Sequence, residues 1–202
     1  MLDKITQRAG AVGACEFVLP RTEIVAAHHT ELAIAGRVGV TVLLSREKPG
    51  RHVAVVTVGR RTSEPVVRIQ SSCLYGETLG SLDCDCGDQL RESLSRMKKA
   101  DSGILVYLDQ EGRGAGLGIK AVAHELAERL HFDAHGAYAH LGFEHDLRSY
   151  SDAARVIELL GVSRCVLLTN NPAKVEALES VGILVHREAL STARTVQSIT
   201  AM

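Results

Sequence analysis

The sequence predicts an α/β protein with a mixed sheet, combining a β-rich N-terminal half with a C-terminal half in which strands and helices alternate. Up to about residue 85, short β-branched runs are separated by glycine, proline and charged clusters, which is typical of strands. Beyond that point, apolar residues recur at helical spacing, with short apolar runs between the helical segments. The chain has 202 residues, enough for one sizeable core, and no repeat or linker divides it. We therefore expect a single domain over residues 1–202, in which both halves share one core.

The individual elements follow from where each pattern begins and ends. Short β-branched or apolar runs predict strands at residues 38–45, 52–59, 64–71, 103–108 and 164–169. Helical spacing predicts helices at residues 88–99 and 117–130, one that ends at Gly161, and one between Asn171 and Gly182. The predicted buried face of helix 88–99 consists of Leu90, Leu94 and Met97, and that of helix 117–130 consists of Ile119, Val122, Leu126 and Leu130.

Composition narrows the classes of protein to which the chain can belong. The formal net charge is −1 and the charged residues are spread along the chain, so no general attraction to nucleic acid or anionic membranes is expected. Three Phe, four Tyr and no Trp also argue against a nucleic-acid-binding zinc module. The chain begins without the apolar stretch of a secretory signal, and no segment approaches the roughly 18 to 20 apolar residues of a membrane span. We expect a cytoplasmic protein.

The five cysteines fall into two groups. Thiols in a reducing compartment are more often metal ligands, catalytic groups or core residues than disulfide partners. Cys15 and Cys165 are interpreted as small core residues, Cys165 because it lies in an apolar run. Cys73, Cys84 and Cys86 differ, because glycines bend the chain between them and a helix follows. Their sulfurs can converge, and thiolates select zinc among the common cytosolic ions.

The spacing of these three thiols leaves the role of a bound zinc open. A structural site needs a fourth ligand, and none of the nine histidines lies between residues 53 and 123, although a distant histidine could complete the site. A site with three protein ligands keeps a position for water, which is the catalytic arrangement. The thiol spacing alone is compatible with both.

Three further segments carry residues suited to binding or chemistry. The run QEGRGAGL (110–117) can bring backbone amides close to a ligand at a helix start, although a solvated glycine loop would have the same sequence. The run LLTNNPAKV (167–175) places Thr169 and Lys174 at the end of a buried strand, where open α/β sheets commonly bind ligands. Asp146 and Arg148 lie two residues apart in a predicted loop, where an ordinary exposed ion pair is the simpler interpretation.

Taken together, these segments resemble the GTP cyclohydrolase II family, zinc enzymes that open the purine ring of GTP at the entry to riboflavin synthesis. The pattern of Cys73, Cys84 and Cys86 has GSL before its last two cysteines and Gln89 after them, as in the family. The segments QEGRGAGL, LGF, Asp146-x-Arg148 and LLTNNPAKV then follow in the family's order. The resemblance covers about residues 68–187, and residues 1–60 carry little of it.

The resemblance implies a hydrolase that acts on the C–N bonds of a cyclic amidine. One zinc ion per chain would be held by Cys73, Cys84 and Cys86, and its bound water would attack C8 of guanine, so that the imidazole ring opens and formate leaves. Arg148 would be the nucleophile that takes the α-phosphoryl group as pyrophosphate departs, with Asp146 as the proton acceptor beside it. The implied product is 2,5-diamino-6-ribosylamino-pyrimidinone 5'-phosphate.

The resemblance also implies where GTP binds. Seven further residues fall on family positions that contact GTP: Arg68, Gln89, Glu111, Gly112, Arg113, Thr169 and Lys174. Lys174 and the backbone near Thr169 suit phosphate, and the carboxylate of Glu111 could accept hydrogen bonds from guanine N1–H and the amino group. Mg²⁺ would neutralise the triphosphate, and family members are typically homodimers.

Four positions around the base and the metal depart from the family pattern. The family reads Arg-Val-His-Ser-Glu-Cys where this chain reads RIQSSC (68–73), so Gln70 and Ser72 replace a histidine and a carboxylate. A family tyrosine aligns with His124, a further candidate for substrate contact, and a family threonine aligns with Ala134. These departures predict an alternative enzyme that stops at the formamidopyrimidine or takes a related purine nucleotide in a specialised pathway. A non-catalytic GTP-binding zinc protein is the remaining alternative.

Overall fold

The structure, a computed structural model, describes residues 24–47, 50–144 and 146–191. Within these ranges, seven strands form one sheet: β1 (Ile24–Leu32), β2 (Gly36–Leu44), β3 (His52–Gly59), β4 (Val66–Ser71), β5 (Ser102–Leu108), β6 (Arg164–Leu168) and β7 (Leu184–Glu188). The α-helices of the same ranges are α1 (Cys86–Ala100), α2 (Leu117–Leu130), α3 (Ala134–His140), α4 (Ser151–Leu159) and α5 (Pro172–Glu179). Every strand and helix predicted from the sequence has a counterpart here.

The sheet is mixed, with the strand order β1-β2-β3-β5-β4-β6-β7. Strands β1, β2, β3 and β5 pair antiparallel, whereas β5, β4, β6 and β7 pair parallel. Each parallel pair requires a crossover connection, and helices form the three crossovers of the second half. The first contains α1, the second contains α2, α3 and α4, and the third contains α5. The predicted fold class, a mixed sheet with alternating strands and helices in the C-terminal half, is confirmed.

The parallel strands determine where the candidate site lies. Because β4, β5 and β6 run in the same direction, their carboxyl ends meet at one edge of the sheet. Cys73 follows β4, Glu111 follows β5 and Thr169 follows β6. Three segments that are far apart in the sequence are therefore brought to the same edge.

Apolar side chains point alternately to the two faces of the sheet and form a core on each face. Along β5, Ile104 and Val106 pack with α4 in the larger core, whereas Leu105 packs with α1 in the smaller one. The predicted buried face of α1 is confirmed for Met97, which is fully buried and lies so close to β5 that a Cβ on Gly103 would be 2.3 Å from its Cγ. This close contact positions the C-terminal end of α1 on the sheet.

Strands β1 and β7 and helix α3 were not predicted from the sequence. β1 is an edge strand that is exposed along most of its length, so its side chains do not alternate between apolar and polar.

The predicted buried face of α2 is wrong for Val122 and Leu130, which are 42% and 54% exposed. The reason is that α2 packs in a small cluster with α3, around Ala123 and Ala137, rather than against the sheet.

Two expectations drawn from composition concern cysteine and hydropathy. Cys165 is fully buried in the larger core, which confirms its interpretation as a core residue, whereas Cys15 lies outside the described residues. Within the described parts of the chain, no helix has both the length and the apolar character that a bilayer crossing requires.

Candidate active site

Three cysteine thiols converge at the carboxyl edge of the sheet. Cys73 follows β4, Cys84 lies in the loop before α1, and Cys86 is the first residue of that helix. The three sulfur atoms lie within 4.8 Å of one another, and those of Cys73 and Cys84 are 3.6 Å apart. The convergence predicted from the spacing is therefore confirmed.

A single turn of π-helix, Leu74–Thr78, folds the chain around the thiols. Cys73 precedes this turn, and its sulfur accepts the backbone N–H of Gly76 at 3.4 Å. A Cβ on Gly76 would lie 2.5 Å from Cys84 Sγ and 3.2 Å from Cys86 Cβ. Only glycine leaves room for the sulfurs at this position.

The three thiols form a donor set that fits a metal ion. Within the part of the chain that the structure describes, no fourth His, Cys, Asp or Glu joins the three thiols. A hydrogen bond from Cys86 lowers the pKa of Cys73, and contacts with the N–H of Gly76 and with Lys120 lower it further. The thiolate is the form that binds metal, so these contacts favour a bound cation. Cys73, Cys84 and Cys86 could thus hold a metal ion.

Gly76→Ala is expected to weaken metal binding by about 10- to 100-fold, a loss typical of disturbed surroundings of metal ligands. The added methyl group would displace the sulfur of Cys84, because the built Cβ lies only 2.5 Å from it. Gly118→Ala is the matched control, since a Cβ on that α2 glycine meets nothing within 4 Å. Competition with a chromophoric chelator measures both affinities, and equal affinity of the two variants would contradict the expectation.

Lys120 of α2 connects the thiols to Glu111. Its Nζ lies 3.1 Å from Cys73 Sγ and 2.8 Å from Glu111 Oε1. Burial opposes both charges, but their hydrogen bonds outweigh it, raising the pKa of Lys120 and lowering that of Glu111. Glu111 also accepts the backbone N–H of Leu74 at 2.6 Å and of Gly112 at 3.1 Å. The carboxylate therefore ties the glycine-rich loop to the cysteine loop.

The glycine-rich loop packs against the loop that carries Asp146 and Arg148. The N–H of Leu147 donates to the carbonyl of Arg113 at 2.9 Å, and a Cβ on Gly114 would lie 2.8 Å from the Leu147 carbonyl. Arg113 has a φ of 54°, which is uncommon for a residue with a side chain. The close packing of these two loops leaves no room for a side chain at position 114.

Arg148 and Asp146 form a two-point ion pair. Arg148 donates from Nε and Nη2 to the two carboxylate oxygens of Asp146, at 2.7 and 2.5 Å. Burial opposes both charges, but the mutual hydrogen bonds lower the pKa of Asp146 and raise that of Arg148. Their side chains are 32% and 23% exposed, so the pair is half-buried rather than the ordinary surface pair that the sequence also allowed.

A cavity of about 400 Å³ lies in front of the thiols. Eight of the predicted site residues line it: Cys73, Cys84, Cys86, Glu111, Gly112, Arg113, His124 and Arg148. The ring of His124 contacts that of Tyr75, with centroids 5.3 Å apart. The cavity thus brings the thiol cluster, the glycine-rich loop and two arginines, Arg113 and Arg148, into the same space.

Arg68 and Gln89 do not line this cavity. Arg68 is 4% exposed and donates to Gln70 Oε1 at 2.8 Å, to the Leu168 carbonyl at 3.0 Å and to Gln89 Oε1 at 2.7 Å. Gln89 in turn donates to Asp85 at 2.8 Å. Burial lowers the pKa of Arg68 to about 10. The side chains of both residues are therefore engaged in contacts within the protein.

Gln70 and Ser72, which replace a histidine and a carboxylate of the family pattern, both have internal partners. Gln70 donates from Nε2 to Glu77 at 2.7 Å, and the hydroxyl of Tyr107 donates to the same carboxylate at 2.7 Å. Burial raises the pKa of Glu77. Ser72 lines the cavity, and its Oγ accepts the N–H of Gln110 at 3.1 Å. The substitution at position 72 places a neutral hydroxyl beside the thiols.

Buried cations gather where β6 ends. Lys174 is 5% exposed and donates to a β4 backbone carbonyl at 2.8 Å. Burial lowers the pKa of Lys174 to about 7, and repulsion from Arg68 and Arg148 contributes. A bound anion would offset this repulsion and restore the charge. Thr169 is 1% exposed and its hydroxyl accepts a backbone N–H at the start of α5.

The predicted site residues therefore form two groups that meet at Arg148. The first lines the cavity, whereas Arg68, Gln89, Asp146, Thr169 and Lys174 lie outside its wall. Sequence reasoning missed Lys120 and Tyr150, both of which contact predicted site residues. The sequence indicates these two residues only weakly: Lys120 ends the run GLGIK, and Tyr150 lies two residues after Arg148.

These features define an α/β protein with three thiols that could hold a metal ion at the carboxyl edge of a mixed sheet, beside a cluster of buried cationic side chains. A sequence model of GTP cyclohydrolase II matches residues 24–189. The chain belongs to the GTP cyclohydrolase II family.

Three relatives illustrate this membership. A GTP cyclohydrolase-2 of Xylella fastidiosa (strain Temecula1 / ATCC 700964) is 46% identical over 137 residues, which cover 67% of this chain and 34% of that protein. A GTP cyclohydrolase-2 of Aliivibrio fischeri (strain MJ11) is 44% identical over 139 residues, 68% of this chain and 69% of that protein. The riboflavin biosynthesis protein RibBA of Chlorobium phaeovibrioides (strain DSM 265 / 1930) is 47% identical over 133 residues, 65% of this chain and 32% of that protein. The match thus spans only about a third of the first and third relatives.

Proposed function

We propose that this chain is a zinc-dependent hydrolase that opens the imidazole ring of GTP and releases pyrophosphate and formate. The product would be 2,5-diamino-6-ribosylamino-pyrimidinone 5'-phosphate, an intermediate of the riboflavin type. The observation that carries the proposal is that three converging thiols and Arg148, paired with Asp146, meet at one cavity. Similarity to proteins named GTP cyclohydrolase-2 supports the same substrate. We also propose that the chain acts as a single domain in a cytoplasmic homodimer.

Zinc is the metal that suits the three thiols. Cys73, Cys84 and Cys86 would hold one ion per chain, since soft thiolate ligands select zinc among the common divalent metals. When bound, zinc would lower the pKa of coordinated water towards neutrality, so that hydroxide would be available at neutral pH. The contact of Lys120 with Cys73 would orient that ligand, as outer-shell partners do in metal sites generally.

Arg148 and Asp146 are proposed to act on the triphosphate. A bond would form between a nitrogen of Arg148 and the α-phosphorus, while the bond from that phosphorus to the bridging oxygen of pyrophosphate breaks. Asp146 would accept the proton that the nitrogen loses, and its two oxygens already face the guanidinium. Water would then cleave the bond between phosphorus and nitrogen, which releases the 5'-phosphate and returns the proton and the free guanidinium to Arg148. The hydrogen bonds keep Asp146 ionised by lowering its pKa and also raise the pKa of Arg148, so the proton would move only as the bond to phosphorus forms and the nitrogen becomes more acidic.

The buried cations are proposed to bind the phosphate groups. Arg68 and Arg148 each repel Lys174 in the free protein, and a polyanion would relieve that repulsion. Arg68 would act chiefly by its charge, because Gln70, Leu168 and Gln89 accept its hydrogen bonds. Mg²⁺ on the triphosphate would neutralise the departing pyrophosphate.

Glu111 is proposed to contact the guanine base from the cavity wall. A carboxylate offers about four acceptor positions, and Glu111 already accepts from Lys120 and from two backbone N–H groups. One position therefore remains for guanine. A second hydrogen bond from the base would require Lys120 to turn towards Cys73 alone.

The second candidate reaction stops after ring opening and retains the formamide. His124 lines the cavity where the family pattern has a tyrosine, so the phenol that could position or protonate the formamide is absent from that position. Ser72 lies in the same wall at a position where the family pattern has a carboxylate, so this site has one carboxylate fewer. Both changes surround the base and the metal, whereas the residues proposed for phosphate match the pattern.

Incubation with GTP, zinc and magnesium, followed by mass spectrometry, tests these proposals together. We expect pyrophosphate, formate and the diaminopyrimidinone nucleotide. A formylated product with normal pyrophosphate release would establish the second candidate reaction, and His124→Tyr should then restore formate release. Intact GTP after incubation with the zinc-loaded protein would support a non-catalytic GTP-binding protein and overturn both reactions.

A further inference from the structure

The ring of Tyr150 lies against two of the cations proposed to handle the triphosphate. Lys174 Nζ is 5.3 Å from the ring centroid, and the guanidinium carbon of Arg148 is 6.0 Å from it. Both distances are within the range over which an aromatic face attracts a cation. Tyr150 is 5% exposed, so water screens these attractions little.

Tyr150 also connects the two segments that carry these cations. Its hydroxyl accepts a hydrogen bond from Asn171 Nδ2 at 3.1 Å, and Asn171 Oδ1 accepts the N–H of Ala173 at 3.0 Å as the cap of α5. Its own carbonyl accepts the N–H of Ala154 at 2.9 Å in the first turn of α4. The start of α4 therefore holds the backbone of Tyr150, and the cap of α5 holds the hydroxyl of its ring.

An aromatic ring suits this place for an electrostatic reason. Lys174 and Arg148 repel each other, and a further carboxylate between them, in addition to Asp146 on Arg148, would neutralise the remaining charge that attracts phosphate. A ring face attracts a cation through its quadrupole and carries no net charge. The cations can thus be held close together while they stay available to an anion.

We propose that Tyr150 is a positioning residue that holds Lys174 and Arg148 at the spacing required by the polyphosphate of the substrate. The proposal rests on the proposed function, because it takes these two cations as the phosphate site. It assigns the effect to the face of the ring, and gives the hydroxyl the smaller role of fixing the ring against Asn171.

Phenylalanines with increasing ring fluorination at position 150 test the proposal in the full-length, zinc-loaded protein. Fluorination weakens the ring quadrupole and preserves the shape of the ring, so packing in the core changes little. Binding of inorganic pyrophosphate, measured by calorimetry, is expected to weaken stepwise from Tyr150→Phe to the most fluorinated variant, by roughly 5- to 30-fold in total. The melting temperature of each variant monitors folding.

The outcomes separate this proposal from the proposed function. Equal pyrophosphate affinity across the series, or no pyrophosphate binding by the wild-type protein, would overturn the role of Tyr150. A graded loss of affinity in a protein that leaves GTP intact would support the role of Tyr150 and refute the proposed reaction. Tyr150→Leu provides a second check, because it should bind pyrophosphate more weakly than Tyr150→Phe, whereas equal affinities would count against the ring.

Discussion

Cys84→Ser is expected to abolish zinc binding and ring opening together. Serine cannot supply a thiolate, and its hydroxyl stays protonated at neutral pH, so two of the three ligands would remain. Disturbing the partners of metal ligands already costs 10- to 100-fold in metal affinity or activity, so removal of a ligand is expected to cost more than about 100-fold. Zinc content by elemental analysis and formate release by a coupled assay measure the two effects.

Cys165→Ala provides the matched control for that experiment. Cys165 is fully buried in the larger core and is not part of the thiol cluster. Its replacement should lower the melting temperature through the lost packing, while zinc content and formate release stay at wild-type values. Formate release at the normal rate by zinc-free Cys84→Ser protein would refute the role assigned to the thiols.

Arg148→Lys is expected to lower the rate of pyrophosphate release by at least about 100-fold, as is typical when a positioned group loses its proton-transfer partner. Lysine keeps the positive charge but cannot reproduce the two-point contact of the guanidinium with Asp146. The single side-chain nitrogen of lysine also cannot pair with Asp146 and attack the α-phosphorus at the same time. Zinc content should be unchanged, because Arg148 is not one of the three metal ligands.

Arg129→Lys is the matched control for Arg148→Lys. Arg129 forms an exposed helical pair with Glu125, with side chains 72% and 60% exposed, and such pairs contribute little. Turnover of this variant should equal that of the wild type. If Arg148→Lys kept wild-type turnover as well, Arg148 would contribute only its charge, and the proposed transfer of the α-phosphoryl group would be wrong.

The sequence predicted those strands and helices whose buried residues recur at regular spacing. The strand at residues 52–59 and the helix at 117–130 were predicted with the bounds that the structure has for β3 and α2. β1 could not be predicted, because an edge strand with both faces largely exposed has no alternating pattern. The buried face of α2 was misjudged because its partner, α3, has only seven residues and covers little of the helix.

The candidate site could be predicted where its residues belong to contiguous motifs. Cys73, Cys84 and Cys86 are separated by glycines that let the chain bend back, so the sequence indicated that their sulfurs can converge. The contacts of Lys120 and Tyr150 depend on how α2 and α4 pack against the loops, which local patterns do not encode. The sequence also could not show that Gln70, Leu168 and Gln89 accept the hydrogen bonds of the Arg68 guanidinium.

The central claim is that zinc on these three thiols is required to open the ring of GTP. The direct measurement is a zinc titration of chelator-treated, reduced protein with formate release as the readout. Formate release should be absent without zinc, rise in proportion to added zinc, and stop rising at one equivalent per chain, because the three thiols are proposed to hold one ion. Formate release at the full rate before zinc is added, or full zinc occupancy without any formate from GTP, would contradict the account.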